Sequence, residues 1–347
     1  MHLIAVFLAL VAGSHAALTA KGVDWSSLLV EEASGQSYKS VSGEVQPLET
    51  ILGNSGVNTV RQRLWYTDGD YGLEYNLELA RRAQAAGLDF YLDIFYSPTW
   101  TDAGHQETPS DWANYGIDDL AFAVYNYTRD TMTAFNSAGI VPAQVAIGNE
   151  IRAGLLWPLG DMSNSDGPYN VARMLHSAAY GVRDSSSSTQ VLVHLDNGWD
   201  YEAQQYFYDT VLAQGPLELE DFDVQAVSYY PFYSSSATLS ALKTSLSSMK
   251  SRYNKGIQVV ETDWPTYCPS PAYEFPADTT SIPLSTAGQT TWVQDIATVV
   301  EDIGGDGLFY WEPAWIDNAA LGSSCGYNLM VDDDGTVMSS LAVFGEI

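Results

Sequence analysis

The sequence predicts a single-domain α/β protein, a (β/α)8 TIM barrel. Three observations carry that expectation. Short apolar runs of strand character alternate with helical stretches eight times along the chain, with no repeat of shorter period. Two of those runs, residues 145–150 and 257–264, meet a carboxylate at their ends, Glu150 and Glu261. Buried parallel strands deliver side chains in this way to the carboxyl end of a barrel. The length, 347 residues, suits one large barrel or two smaller domains, and no Pro/Gly/Ser-rich linker divides the chain.

Residues 1–16 stand outside the expected fold. An apolar run over residues 3–13 is followed by Ser14-His15-Ala16, small residues suited to cleavage before Ala17. The run is too short to span a bilayer, and no later segment reaches about 18 apolar residues. The expectation is a secreted protein whose residues 17–347 form one catalytic barrel.

The elements follow in order. Residues 22–25 make the first strand and 47–54 a helix. The second strand is 58–65, followed by an amphipathic helix over 76–86 that Gly87 stops. The third strand is 89–96, and a long helix over 118–138 is stopped by Gly139. The fourth strand runs to Glu150, with a helix over 170–184 and a serine-rich solvated turn at 185–188. Strands at 191–195 and 224–229 precede helices at 201–212 and 236–253. The seventh strand ends at Glu261 and is followed by a helix over 290–303. Residues 307–311 close the barrel, and the remainder covers it. Two strand-to-helix connections are long, 97–117 and 265–287, and loops of that length at the carboxyl end shape a binding groove.

Lys and Arg total 14 against 43 Asp and Glu, a net charge of −29. Such a chain repels nucleic acid and anionic membranes and disfavours a polyanionic substrate. A neutral substrate fits. Aromatic residues make up 12%, including 10 Trp and 22 Tyr, and sugar rings lay their C–H faces on such side chains. Cys268 and Cys325 are the two cysteines, expected to form a disulfide in an oxidising compartment. Asn126-Tyr127-Thr128 is a glycosylation sequon.

Cleavage of a glycosidic bond needs one carboxylic acid to protonate the leaving oxygen and a second carboxylate that attacks the anomeric carbon or activates water. Glu150 and Glu261 are the candidates. The second needs a fixed cation to stay ionised. Arg61 is that candidate, because alternation puts Arg61 and Arg63 on one face of the second strand. A structural ion pair inside the barrel is the alternative reading for Arg61. The other strand tips carry polar and aromatic groups: Asp93 to Ser97 with Trp100 beyond, His194 to Trp199 with Asp196 among them, Ser228 to Tyr233 with Tyr229, Thr262 to Trp264, and Phe309 to Trp315 with Trp311. Gathered at one rim, they suggest a stacking platform with hydrogen-bonding groups between rings. No Gly-x-Ser-x-Gly elbow is present, and the five histidines lack zinc-ligand spacing. Asp332-Asp333-Asp334-Gly335 reads as an acidic turn of a solvated hairpin rather than a Ca²⁺ loop. Neither a metal nor a cofactor is called for.

These motifs resemble the family 53 glycoside hydrolases, endo-β-1,4-galactanases, and among them the secreted fungal members. The resemblance spans essentially the whole mature chain. It rests on Gly22-Val23-Asp24-Trp25-Ser26, residues 58–65, Ile147-Gly148-Asn149-Glu150, Gly154-Leu155-Leu156-Trp157-Pro158, residues 194–198, residues 228–233, Val260-Glu261-Thr262 and residues 310–315. It implies a retaining hydrolase with Glu150 as general acid/base and Glu261 as nucleophile. It further implies that Asn149 hydrogen-bonds the sugar 2-hydroxyl and that Arg61 lies beside the nucleophile. The implied substrate is β-1,4-galactan of type I arabinogalactan in pectin. Arg61, Asn149, Trp100 and His194, with Asp196, Tyr229, Trp264 and Trp311, are then the expected substrate-binding set of a monomeric enzyme. The chain departs from the family pattern at the third strand's end, where Phe95 and Pro98 replace the usual His and Asp. The rival readings are a related hydrolase of another neutral β-glycan, such as mannan or glucan, and a non-catalytic carbohydrate-binding barrel.

Overall fold

A computed structural model describes residues 17–347; the expected leader, residues 1–16, lies outside the described residues. Eight parallel strands close into a barrel in sequence order. They are β1 (Ala20–Asp24), β2 (Thr59–Leu64), β3 (Asp89–Ile94), β4 (Gln144–Ile147), β5 (Gln190–Leu195), β6 (Val224–Ser228), β7 (Gly256–Glu261) and β8 (Gly307–Tyr310). Closure is made by β1 against β8, with Gly22 beside Phe309 and Val23 beside Tyr310.

Eight helices accompany them among the described residues: α1 (Leu28–Ser34), α2 (Leu48–Asn54), α3 (Leu73–Ala85), α4 (Ile117–Ser137), α5 (Gly167–Ser185), α6 (Tyr201–Leu212), α7 (Leu239–Tyr253) and α8 (Thr286–Asp302). Helix α1 was not anticipated. Its seven residues are too few for a periodic pattern to stand out. Gly87 and Gly139 take left-handed φ values of 74° just beyond α3 and α4, the conformation that ends a helix and that glycine adopts freely. Among the described residues no helix is long and apolar enough to cross a membrane.

Two apolar cores follow from strand alternation. The barrel interior holds Ala20, Tyr91, Ala146, Leu192, Val224, Ala226, Val260 and Phe309. A larger shell between strands and helices takes the opposite residues, such as Val145, Val193, Val227 and Val259. Gly22 is required by the interior: a Cβ there would stand 2.2 Å from the ring of Phe309 and 2.8 Å from the carbonyl of Thr59.

Period-two alternation is broken once near the site. Val227 pairs with Val259, but Ser228 pairs with Glu261, so β7 carries one extra residue at its tip. Val260 faces the barrel interior, and the bulge turns Glu261 to the same side. Cys268 and Cys325 are disulfide-bonded and tie the loop after β7 to the loop after β8. The acidic turn lies in a hairpin closed by a Val331–Val337 bridge, and Asp334 pairs with Lys39 at 3.0 Å. Asn126 is half-buried on α4, and Thr128 of its sequon is fully buried, bonded to Tyr96 and to the carbonyl of Val124.

Candidate active site

The carboxyl end of the barrel opens into a cavity of about 540 Å³. Glu150 and Glu261 both line it, with Trp100, Asp196, Ser228, Tyr230, Tyr233, Trp311 and Trp315 among the other walls. Glu150 follows β4 on a left-handed backbone, φ 50°, directly after Gly148 at φ 116° and buried Asn149. That turn swings the carboxyl over the barrel mouth.

Glu261 is held at both oxygens. Nη2 of Arg61 lies 2.8 Å from Oε1, and the Tyr230 hydroxyl donates to Oε2 at 2.8 Å. Arg61 is itself buried and ordered on every side. Its Nη1 meets Asp24 at 2.8 Å, and its Nη2 meets Asp93 at 2.6 Å and donates to Oδ1 of Asn149 at 3.0 Å. Asn149 Nδ2 donates to the carbonyl of Thr101 at 2.9 Å, and its own carbonyl accepts from Gln106 at 2.9 Å. Both readings of Arg61 therefore hold together: it forms a structural ion pair and also flanks Glu261.

Acids outnumber cations here. Arg61 and Arg63 serve Asp24, Asp93, Glu261 and Glu312, with Glu150 and Asp263 close by. Not all of these carboxyls can ionise together. Burial raises Glu150 well above the usual carboxylate range, and the negative Glu261 and Asp196 add to it. Burial also raises Glu261, but Arg61, Tyr230 and Ser228 pull it back. Asp93 and Glu312 are each pushed up to about 7, mainly by burial against the pull of their arginines. The two candidate acids thus have environments that push their proton affinities apart, as an acid and a nucleophile require.

Ser228, brought opposite Glu261 by the bulge, neighbours both catalytic candidates and lowers the pKa of each. His194 bonds the Ser228 hydroxyl at 2.9 Å from inside the barrel. Burial first, and Arg61 second, keep His194 neutral. His194 is fully buried, so it supports the site from beneath rather than lining it. Asp196 does line the cavity and is gripped by Arg152 at 2.7 and 2.9 Å.

Two expected binding residues lie elsewhere. Tyr229 is fully buried, donates to the carbonyl of Ala237 at 2.8 Å and stacks on Trp292 of α8. The reason is parity: Ala226 faces the barrel interior, so 228 and 230 follow it inward and 229 turns out. Tyr230 holds the place given to Tyr229. Trp264 is also buried, donating to the carbonyl of Pro283 at 2.9 Å and packing on Trp292; the bulge puts Asp263, not Trp264, on the barrel side.

Trp100 and Trp311 wall the cavity with their ring centroids 5.7 Å apart, and Trp315, not anticipated as a binding residue, stands 6.3 Å from Trp311. Phe95 packs edge-on against Trp100 at 6.1 Å. The departure at Phe95 thus backs the tryptophan wall with an apolar ring where a histidine would supply a hydrogen bond. Among the described residues no cluster of three or more His, Cys, Asp or Glu is placed to hold a metal ion.

The arrangement provides two carboxyls of unlike proton affinity, a fixed cation and an aromatic wall. The chain as a whole is similar to known proteins. The family model of glycosyl hydrolase family 53 matches residues 20–344. An arabinogalactan endo-beta-1,4-galactanase A of Emericella nidulans is 56% identical over 345 residues, covering 98% of both chains. A solved fungal beta-1,4-galactanase superposes with a TM-score of 0.93 at 55% identity, over 95% of this chain and all of that one. The family 53 catalytic domain from Ignisphaera aggregans superposes with a TM-score of 0.81 at 27% identity, over 93% of this chain and 94% of its own.

Proposed function

The chain belongs to glycosyl hydrolase family 53, and from that premise we propose that it cleaves β-1,4-galactosidic bonds within arabinogalactan, with retention of anomeric configuration. The observation that carries the mechanism is that Glu150 and Glu261 line one cavity at the carboxyl end of the barrel, with Arg61 paired to Glu261 and not to Glu150. Double displacement requires the two carboxyls to stand ~5–5.5 Å apart, and inversion ~6.5–9.5 Å, which leaves room for an attacking water.

In the first step a carboxylate oxygen of Glu261 attacks the anomeric carbon while Glu150 gives its proton to the departing glycosidic oxygen. In the second, Glu150 takes a proton from water, the water oxygen bonds to the anomeric carbon, and Glu261 leaves. Arg61 and the Tyr230 hydroxyl keep Glu261 ionised between turnovers. Asn149 spends one N–H on Thr101, and its second is free for a sugar hydroxyl. The net charge of −29 suits an uncharged glycan, and the tryptophan wall offers apolar faces to its rings.

The reading includes secretion, with residues 1–16 as the leader and 17–347 as the working enzyme, and action as a monomer. The test is incubation with purified β-1,4-galactan, following reducing ends and the first-formed anomer by proton NMR. Rapid release of the β-anomer is expected. The α-anomer first would exclude double displacement, and binding without release would mark a non-catalytic barrel.

A further inference from the structure

Arg63 takes no part in the chemistry above, yet it is one of the largest fully buried side chains of the protein. It lies two residues beyond Arg61 on β2, on the same inward face, and does not itself line the cavity. Its Nη1 pairs with Oε1 of Glu312, and its Nη2 donates to the Ser27 hydroxyl at 3.0 Å. Its Nε is buried without a hydrogen-bond partner. Oδ1 of Asp24 stands 3.8 Å from the same Nη1, and rings cover the guanidinium besides. The guanidinium carbon stands 4.3 Å from the centroid of Tyr71, 4.9 Å from Trp315 and 5.7 Å from Trp100.

Two of those rings, Trp100 and Trp315, wall the cavity, and Trp311 stands edge-on to both. The counter-ion belongs to the same wall. Glu312 sits in the turn from Trp311 to Trp315, on a left-handed backbone at φ 43°, with its carbonyl accepting from the Trp315 amide at 3.3 Å. Its carboxylate accepts the amide and hydroxyl of Ser27 at 3.0 and 2.7 Å, which anchors that turn to the segment after β1. One buried cation therefore fixes the wall twice, directly through ring faces and indirectly through the turn that carries Trp311 and Trp315.

We propose that Arg63, paired with Glu312, is a positioning residue for glycan binding: it sets the orientation of the Trp100–Trp311–Trp315 wall on which sugar rings stack. The proposal rests on the galactan-hydrolase reading for the identity of the ligand. Guanidinium is planar and weakly hydrated, so it can lie against ring faces while its edge meets a carboxylate. An ammonium in its place keeps the charge for Glu312 and loses the flat contact.

The test is R63K, assayed on galactan beside wild type, with near-UV circular dichroism as a readout of tryptophan order. R63K is expected to raise KM about three- to tenfold with kcat within about twofold, and to weaken the near-UV signal. In a W315A background the same change should raise KM by less than about twofold, because part of what Arg63 holds is already gone. If R63K does not fold, E312Q, which keeps side-chain shape and frees the turn, carries the same KM prediction. Unchanged KM, a fall confined to kcat, or effects of R63K and W315A that multiply in full would each overturn the positioning role. Wild-type protein that leaves galactan intact would defeat the hydrolase reading instead. An unaltered near-UV spectrum in R63K would then still count against the coupling of Arg63 to the wall.

Discussion

Nη2 of Arg61 stands 2.8 Å from Oε1 of Glu261, and they reach that point from β2 and β7, strands that β1 and β8 separate. The pairing gives one of the two acids a permanent counter-ion and leaves Glu150 without an ion-pair partner among the described residues. The same asymmetry is the ground on which we propose Glu150 as acid/base and Glu261 as nucleophile. Glu150→Gln keeps the shape and removes the proton donor, so kcat on galactan should fall by about 10²–10⁴. Glu261→Ala should leave no measurable turnover, since no glycosyl-enzyme can form. Reducing-end release measures both, and a Glu261→Ala enzyme that retained activity would remove Glu261 from the mechanism.

Activity should follow a bell-shaped pH profile, its acid limb set by protonation of Glu261 and its alkaline limb by ionisation of Glu150. The Tyr230 hydroxyl donates to the ionised form of Glu261 at 2.8 Å and so lowers its pKa. Tyr230→Phe removes that donor and should move the acid limb upward by about one to two pH units, with little change in the alkaline limb. A limb that stays in place would show that Tyr230 does not hold the nucleophile.

Ser228→Ala makes a different prediction, because the hydroxyl favours the ionised form of both carboxyls. Both limbs should move upward together, each by about half a unit to one unit. A shift of only one limb would place Ser228 on one carboxyl alone.

Much of this site is legible in the sequence. Apolar runs that stop on Glu150 and Glu261 locate the two candidate carboxyls that line the cavity, because a buried strand tolerates a carboxylate only at its end. Alternation locates Arg61. The same rule, carried along β6 from Ala226, would also have found Tyr230 in place of Tyr229. Trp264 was beyond that rule, since the extra residue in β7 appears only once Ser228 and Glu261 are seen paired. Asp24 and Asp93 were hidden for another reason: an inward acid on a short strand gives no sign of which arginine it will meet. The tryptophan wall was legible as a cluster of aromatic strand ends, but its dependence on Arg63 joins β2 to the turn after β8, which no local pattern encodes.

Asp263 is buried beside Glu261 and Glu312, with one carboxyl oxygen lacking any hydrogen-bond partner. Burial, followed by those negative neighbours, raises its pKa well above the usual range. A carboxyl whose folded pKa is raised contributes stability that is full below its unfolded pKa of about 3.9. That contribution is lost as pH rises toward and through the folded value, because the unfolded chain releases the proton first. Asp263→Asn abolishes this titration. The stability of the variant relative to wild type should therefore increase between pH 4 and pH 7, by up to about 1.4 kcal/mol per pH unit, and its relative Tm should rise with it. Thermal melts across that range measure it, and a constant difference would mean that Asp263 is ionised in the folded protein.

Barrel closure sets a last prediction away from the chemistry. Gly22 and Phe309 are register partners on β1 and β8, and a Cβ on Gly22 would fall 2.2 Å from the ring. A ring cannot retreat through a packed interior shared with Tyr91, 5.6 Å from it edge-on. Gly22→Ala should therefore cost about 1–3 kcal/mol and lower Tm by roughly 3–10 °C. Phe309→Leu opens a cavity and is destabilising alone, yet it removes the ring that the new methyl strikes. In the double variant the two costs should fall short of their sum by at least about 0.5 kcal/mol, the mark of residues in direct contact. The carbonyl of Thr59, 2.8 Å from the same point, is backbone and does not yield, so the rescue stays partial. Costs that simply add in chemical denaturation would show that Gly22 is needed for that carbonyl rather than for the ring.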